Sequence, residues 1–274
     1  MMTKINVYIV FLTLILSGCF NSTVNKDFET AQQFNINKDY RNALVHYVKV
    51  IKKEPNTPLA LEAAKEAYKI YFYYEQNFEK SLELIKFIII RLKSKEETIK
   101  WQIQLADILS ENLSLYERAI LEYSKILETK TDSKLKHRLK TNIARSYFAL
   151  NNFKQAILEI DEVLKLDLSE EDTFKALIFK GNILLTDKKI TKAIELFNLI
   201  KKDYPELSLK ENISKNLVAC YEELQNFNKA IEILNEELKK LKEIDPNNPK
   251  IEFIALRIEK LTKRKSSLPK GKGR

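Results

Sequence analysis

Few side chains in this sequence could carry catalytic or metal-binding chemistry. The chain of 274 residues has two cysteines, Cys19 and Cys220, and two histidines, His46 and His137. The histidines are far apart and have none of the spacings at which ligand pairs hold zinc. Cys220 lies in the apolar stretch Leu-Val-Ala-Cys-Tyr, which favours a small buried side chain over a reactive thiol. No metal site is expected.

Glycine is too scarce for a phosphate-binding loop. Gly18, Gly271 and Gly273 lie near the two ends, and Gly181 alone serves the long region between them. Loops that cradle phosphates need several glycines for close backbone approach. Acidic residues are abundant enough for paired carboxylates, but on amphipathic helices such residues usually form the solvated face. We expect a protein that is not an enzyme and has no small-molecule substrate.

The N-terminus has the layout of a secretory signal. Lys4 precedes an apolar run from Ile5 to Leu16. At about 12 residues, this run is shorter than the roughly 20 that a membrane-spanning helix needs. Residues 1–18 are therefore predicted to be a signal peptide that is removed from the mature chain.

The sequence LSGC, which ends at Cys19, resembles the lipobox of bacterial lipoproteins. The resemblance implies that Cys19 receives a diacylglyceryl group, which would be the only covalent cofactor, and becomes the N-terminus after cleavage. Residues 19–26 would then be a lipidated tether. Phe20 stands where enterobacterial inner-membrane lipoproteins carry Asp, which favours the outer membrane, facing the periplasm, over the inner membrane or cell surface. The alternative is an ordinary signal peptide with a chance cysteine.

The formal charge of +9 is concentrated near the C-terminus. Residues 263–274 carry six positive charges, and no acidic residue follows Glu259: Lys263, Arg264, Lys265, Lys270, Lys272 and Arg274. These and Lys4 account for seven of the nine charges, so the region from Cys19 to Thr262 carries only +2. Such a balanced surface is not typical of nucleic-acid binding. Residues 263–274 are predicted to be a disordered tail that either contacts anionic envelope components or only aids solubility.

One pattern recurs six times: an aromatic residue or isoleucine, a small residue three positions on, and a large apolar residue four positions later. The copies are Tyr40-Ala43-Tyr47, Phe78-Ser81-Ile85, Tyr116-Ala119-Tyr123, Phe153-Ala156-Ile160, Ile190-Ala193-Phe197 and Phe227-Ala230-Leu234. Spacings of three and four place these residues on one face of an α-helix. An amphipathic segment and a polar turn precede each copy. Each unit is therefore predicted to be a helix, a short turn and a second helix.

These units resemble the tetratricopeptide repeat (TPR), in which a small residue and an aromatic lie before the turn and an aromatic, an alanine, an aromatic and a proline follow it. The fifth copy fits with Gly181, Leu184, Ile190, Ala193, Phe197 and Pro205. The repeat unit of this chain is longer than the 34 residues of a typical TPR. The second and third copies also carry one extra residue before Phe78 and Tyr116. The resemblance implies an all-α, right-handed superhelical solenoid of about six hairpins over residues 27–262. A C-terminal capping helix from Pro249 to Lys263 should have one apolar and one charged face.

The resemblance also implies a groove lined by the first helices of the hairpins, where proteins or peptides bind. Candidate groove residues lie between the core positions of those helices: Arg138, Arg145, Lys175, Asn182, Lys215 and Asn216. Basic and amide side chains of this kind can hold a carboxylate or backbone carbonyls. The alternative is that they are simply solvated helix residues.

The resemblances together predict a membrane-anchored scaffold that binds envelope proteins or peptides and no nucleic acid. The segments Glu29-Thr30-Ala31-Gln32-Gln33 and Tyr40-Arg41-Asn42-Ala43-Leu44 are similar to the first repeat of the D lipoprotein of the outer-membrane β-barrel assembly machinery. A subunit of that machinery is therefore an alternative function. Another is an accessory factor for cell-wall enzymes.

Overall fold

The computed structural model describes residues 23–129 and 131–267, which form fourteen α-helices and no β-strand. The predicted signal peptide and Cys19 lie outside these residues. The chain divides into two compact units, Met1–Lys130 and Thr131–Arg274. None of the helices in the described parts of the chain is both long and apolar enough to cross a membrane.

Both units are built from helix hairpins. The first unit contains α1 (23–36), α2 (Tyr40–Lys53), α3 (Pro58–Lys69), α4 (Phe78–Arg91), α5 (Lys95–Asp107) and α6 (Tyr116–Leu127). The second contains α7 (Ser133–Ala149), α8 (Phe153–Val163), α9 (Glu170–Thr186), α10 (Ile190–Asp203), α11 (Pro205–Lys210), α12 (Ser214–Glu223), α13 (Phe227–Ile244) and α14 (Lys250–Ser267). Each unit holds three hairpins, and α14 packs on α13 after the last of them. The predicted hairpins and C-terminal helix are confirmed.

The second helix of every hairpin begins at the first residue of the repeated pattern. These six first residues are Tyr40, Phe78, Tyr116, Phe153, Ile190 and Phe227. The small residues three positions later are all fully buried: Ala43, Ser81, Ala119, Ala156, Ala193 and Ala230. A small side chain at this point lets the two helices of a hairpin approach closely. The predicted repeat register is therefore confirmed.

The turn inside each hairpin has the same backbone conformation. Two positions before each second helix, one residue adopts a left-handed conformation with φ between 49° and 60°: Lys38, Gln76, Ser114, Asn151, Lys188 and Gln225. A left-handed residue commonly ends a helix, and glycine is the usual choice because it has no Cβ. The next residue often caps the second helix, as Asn152 does by accepting the Gln155 backbone N–H. None of these six left-handed positions is occupied by glycine.

Gln225→Gly is expected to raise the free energy of unfolding by about 0.5–1 kcal/mol, because relief of the left-handed strain outweighs the entropy that glycine adds to the unfolded chain. The exposed Gln225 side chain has no hydrogen bond to lose within the described residues. Urea unfolding of the two proteins measures the difference. Gln225→Ala keeps the strain and should show no such gain. A glycine variant less stable than the alanine variant would contradict the interpretation.

The extra residue in the second and third copies is absorbed by π-helical turns. These turns, Ile70–Tyr74 and Ile108–Asn112, extend α3 and α5 to the ends of the first helices. In the second hairpin the Asn77 backbone N–H donates to the Tyr71 carbonyl, six residues back, at 2.8 Å. In the first hairpin the equivalent bond runs from Asp39 to Phe34, five residues back. The insertion is therefore confined to the last turn of each helix.

The predicted tether is too long at its C-terminal end. Residues 23–26 already belong to α1, and Val24 is fully buried in the core of the first unit. Val24 lies four residues before Phe28 and seven before Ala31, so it continues the apolar stripe of that helix. The folded body begins before residue 27.

The predicted tail boundary is also wrong, because α14 continues through Ser267. The Arg264 side chain is held in place by an ion pair with Glu222 and lies over the Phe227 ring. The outer face of α14 is not wholly charged, since Phe253 is 74% exposed and Leu256 56% exposed. Contact of the remaining basic residues with anionic envelope components stays a prediction.

Candidate peptide-binding site

The first helices of the second unit, α7, α9 and α12, together with α14, form a surface that we call the A-helix face. Phe148 of α7 packs edge-on against Phe179 of α9, with ring centroids 5.7 Å apart. Glu222 of α12 forms an ion pair with Arg257 of α14. Neighbouring first helices therefore contact one another, and side chains from successive repeats can act on one ligand.

Four of the predicted groove residues lie at matching positions on α7 and α9. Arg138 and Arg145 are seven residues apart on α7, and Lys175 and Asn182 repeat this spacing on α9. Seven residues make about two helical turns, so each pair lies on one side of its helix. Arg138, Arg145 and Lys175 are exposed. Lys175 also pairs with Glu171 at 2.6 Å, and this hydrogen bond raises the pKa of Lys175.

The structure brings together two of the predicted residues, Asn182 and Asn216. The Asn216 side-chain amide donates a hydrogen bond of 2.7 Å to Oδ1 of Asn182, which links α9 to α12. Oδ1 of Asn216 is buried and has no hydrogen-bond partner among the described residues. A buried acceptor without a donor costs about 1–3 kcal/mol. A ligand that donates an N–H to this atom would recover that cost.

A second part of the A-helix face is an open groove between α12 and α14, with a volume of about 430 Å³. Apolar side chains and polar side chains both line it: Val218, Leu234, Phe253, Ile254, Asn212, Lys215, Lys250 and Arg257. The predicted residue Lys215 is thus one of three cations beside an exposed phenylalanine. No carboxylate lines the groove, so it suits a ligand that combines negative charge with an apolar side chain.

Glu222 fixes α14 beside this groove. Its carboxylate accepts hydrogen bonds from Arg257 and, at 2.8 Å, from Arg264. The Glu222 side chain is only 12% exposed, whereas the two arginine side chains are about half exposed. The shielded acid therefore orients the two arginines and links α14 to α12.

Neither protein-family models nor curated protein sequences match this chain. Solved structures do. A tetratricopeptide repeat protein from Parabacteroides merdae shares 14% identity with it at a TM-score of 0.53, over 92% of this chain and 95% of that one. PilW, a type IV pilus biogenesis factor, shares 14% identity at a TM-score of 0.51, over 85% and 98% of the two chains. The chain has the tetratricopeptide-repeat fold.

Within the TPR register, the sequence contained a signal for groove residues that we did not predict. Asn212 and Ala219 lie 37 residues after Lys175 and Asn182, so they are the repeat equivalents of those residues in the sixth copy. The stripe of α14 likewise lies 37 residues after that of α12, so α14 corresponds to the first helix of a seventh TPR. Extending the register would have placed Phe253, which lies 37 residues after Asn216, on the A-helix face.

Cys220 and His46 make structural contacts outside the groove. Cys220 is fully buried, and burial raises the pKa of its thiol to about 11. This confirms the prediction of a small buried side chain rather than a reactive nucleophile. His46 contacts the Asp27 carboxylate at 3.1 Å. No group of three or more potential metal ligands occurs in the described ranges.

A small cavity of about 120 Å³ lies where α11 and α12 meet α13. Glu237 lines it, is 7% exposed, and has one carboxylate oxygen without a hydrogen-bond partner among the described residues. Burial raises the pKa of this carboxyl, while Ser214 and two lysines oppose the rise. The folded protein therefore favours the protonated form of Glu237 more than the unfolded chain does.

Glu237→Gln is expected to stabilise the second unit at neutral pH, by about 1 kcal/mol, because the amide avoids the cost of a buried charge. Since the folded pKa is raised above its ordinary value, the native protein binds the extra proton, and the stability from this group is lost as pH rises through the raised folded pKa. Thermal unfolding at a series of pH values from acidic to neutral should show the gain of the variant growing with pH. A gain that is constant with pH would show that ionisation of Glu237 is not its cause.

Proposed function

We propose that this protein is a lipid-anchored TPR scaffold of the bacterial cell envelope, which binds peptide segments of other envelope proteins on its A-helix face. The groove between α12 and α14 carries this proposal. Its three cations, Lys215, Lys250 and Arg257, surround apolar side chains that include the exposed Phe253. An acidic segment with one large apolar residue would match both features.

The asparagine pair supports a peptide ligand in particular. Asn216 holds a buried carbonyl oxygen without a donor among the described residues, and it is next in sequence to the groove cation Lys215 on α12. A peptide main chain supplies N–H donors at regular intervals, so one segment can satisfy this oxygen while its acidic side chains meet the cations. The predicted residues Arg138, Arg145 and Lys175 would extend the same surface over α7 and α9.

Site-specific photo-crosslinking in intact envelopes tests the groove. A photoreactive amino acid at Phe253 should yield a defined crosslinked protein, which mass spectrometry can identify. Ile244 is the matched control, because it is apolar and similarly exposed at 67% but does not line the groove. Combining the probe at position 253 with Lys215→Ala and Lys250→Ala should abolish the product. The same product at positions 253 and 244, unaffected by the lysine substitutions, would contradict the proposal.

The lipid anchor needs its own test, because Cys19 lies outside the described residues. Cys19→Ala should abolish incorporation of a fatty-acid analogue and leave the signal peptide uncleaved. Cys220→Ala is the matched control and should label normally, because Cys220 is buried in the folded protein. Equal labelling of the Cys19 variant and the wild type would remove the anchor from the proposal and leave the groove unaffected.

The identity of the crosslinked protein separates the scaffold from its alternatives. An outer-membrane barrel protein would favour the β-barrel assembly machinery, whose D lipoprotein resembles the segments at Glu29 and Tyr40. A cell-wall enzyme would favour the accessory-factor alternative. The general proposal draws support from PilW, in which the same fold serves type IV pilus biogenesis.

A further inference from the structure

A second groove lies in the same unit, between the second helices α8 and α10 and the end of α9. It is open and has a volume of about 690 Å³. Its apolar lining consists of Ile157, Leu158, Leu184, Leu196 and Leu199. Leu158 is 49% exposed and Leu199 48% exposed, so large apolar side chains face solvent beside one another. We call this feature the α8–α10 groove.

Cations dominate the rim of the α8–α10 groove. Four lysines line it, against one acid, Glu195: Lys154, Lys180, Lys189 and Lys192. Lys180 is paired with Asp161 at 2.7 Å and Lys189 with Asp187 at 2.6 Å. The other two have no ion pair with any carboxylate of the described residues, which leaves their charges uncompensated by this protein.

These two lysines lie at helix N-termini, where the helix dipole adds further positive charge. Lys154 is the second residue of α8, and Lys192 is the third residue of α10. The first turn of a helix carries a partial positive charge from its unpaired backbone N–H groups. The N-terminal ends of both helices are therefore attractive to carboxylates, while Leu158 and Leu199 lie further along the same helices.

We propose that the α8–α10 groove is a second docking surface, which binds an acidic amphipathic segment of a partner protein. Leucine-sized side chains on one face of the segment would cover Leu158 and Leu199, and Asp or Glu residues beside that face would pair with Lys154 and Lys192. A nucleic acid would leave the apolar lining uncovered. Because the groove lies mainly on the second helices α8 and α10 and shares no lining residue with the α12–α14 groove, the protein could hold two segments at once.

A synthetic helix-forming peptide tests this surface on the full chain. The peptide carries leucine on one face and glutamate on either side of it, and its twin carries lysine in place of every glutamate. Fluorescence anisotropy should detect binding of the acidic peptide and not of the basic twin, and the binding should weaken as salt rises. Crosslinks from a photoreactive group on the peptide should map to α8 and α10.

The decisive comparison is a pair of charge-reversal variants. Lys154→Glu with Lys192→Glu should weaken binding at least about tenfold, and this variant should fold because acids suit the first turn of a helix. Lys239→Glu with Lys242→Glu changes the net charge equally on exposed α13 positions outside the groove and should bind like the wild type. Equal weakening by both variants, crosslinks on the A-helix face, or binding to anionic vesicles but not to the acidic peptide would overturn the proposal.

Discussion

Gly181→Ala is expected to lower the free energy of unfolding of the second unit by about 1–3 kcal/mol. Helix propensity alone predicts the opposite, because alanine is favoured over glycine in a helix interior by about 1 kcal/mol. The reason lies in the packing against α10. A Cβ atom at position 181 would lie 2.5 Å and 2.6 Å from two carbon atoms of the Phe197 ring. Phe197 is fully buried and has little room to move.

A double-mutant cycle isolates this contact. Phe197→Leu alone should destabilise the protein by removing part of a buried ring, whereas adding Gly181→Ala to it should cost much less than in the wild type. Urea unfolding at one temperature gives the four free energies that the cycle needs. If the two substitutions were additive, the ring would not be the obstacle, and the close approach of α9 to α10 would need another explanation.

Glu222→Ala is expected to weaken the attachment of α14 to the rest of the second unit. It removes a shielded acceptor from two arginines, a loss of about 2 kcal/mol after allowance for the exposure of the arginine side chains. Hydrogen exchange should therefore accelerate throughout Lys250–Ser267 while the protection of α12 changes little. The α12–α14 groove would lose one wall, so crosslinking at Phe253 should fall as well.

Glu223 provides the matched control for this prediction. It is adjacent in sequence, and its ion pair with Lys188 is formed by side chains that are 47% and 70% exposed. Exposed pairs of this kind contribute about 0–1 kcal/mol, so Glu223→Ala should leave both stability and exchange in α14 nearly unchanged. Equal exchange in the two variants would mean that α14 is held by its apolar stripe alone.

Periodicity in the sequence was sufficient to predict the hairpins and their register. The packing inside each hairpin limits the size of the side chains at positions such as Ala193 and Phe197. Because every hairpin has the same packing, residues of the same kind recur in the sequence at a fixed spacing. The unit ends were harder to predict. Val24 adds only one residue to the apolar stripe of α1, and its polar sequence neighbours hide that stripe in the sequence. At the other end, the Arg264 side chain is held by Glu222, which is 42 residues away in the sequence.

The candidate site was only partly predictable for a similar reason. Register placed Asn182 and Asn216 on neighbouring first helices, but their hydrogen bond depends on how closely α9 approaches α12. The α8–α10 groove left no motif, because its lysines and leucines come from three helices and do not recur together as a set at the 37-residue spacing. Contacts between helices are set by packing, which a one-dimensional pattern does not record.

The π-helical turns have a consequence for comparing this chain with others. A gap in a repeat alignment is usually placed in the loop between elements, where insertions are tolerated best. Here the surplus residues lie inside helices, within Ile70–Tyr74 and Ile108–Asn112, while the loops that follow keep their standard length. An alignment of the six copies is therefore correct only with its gaps in the last turns of α3 and α5. Deletion of one residue from each turn would give six copies in a uniform 37-residue frame.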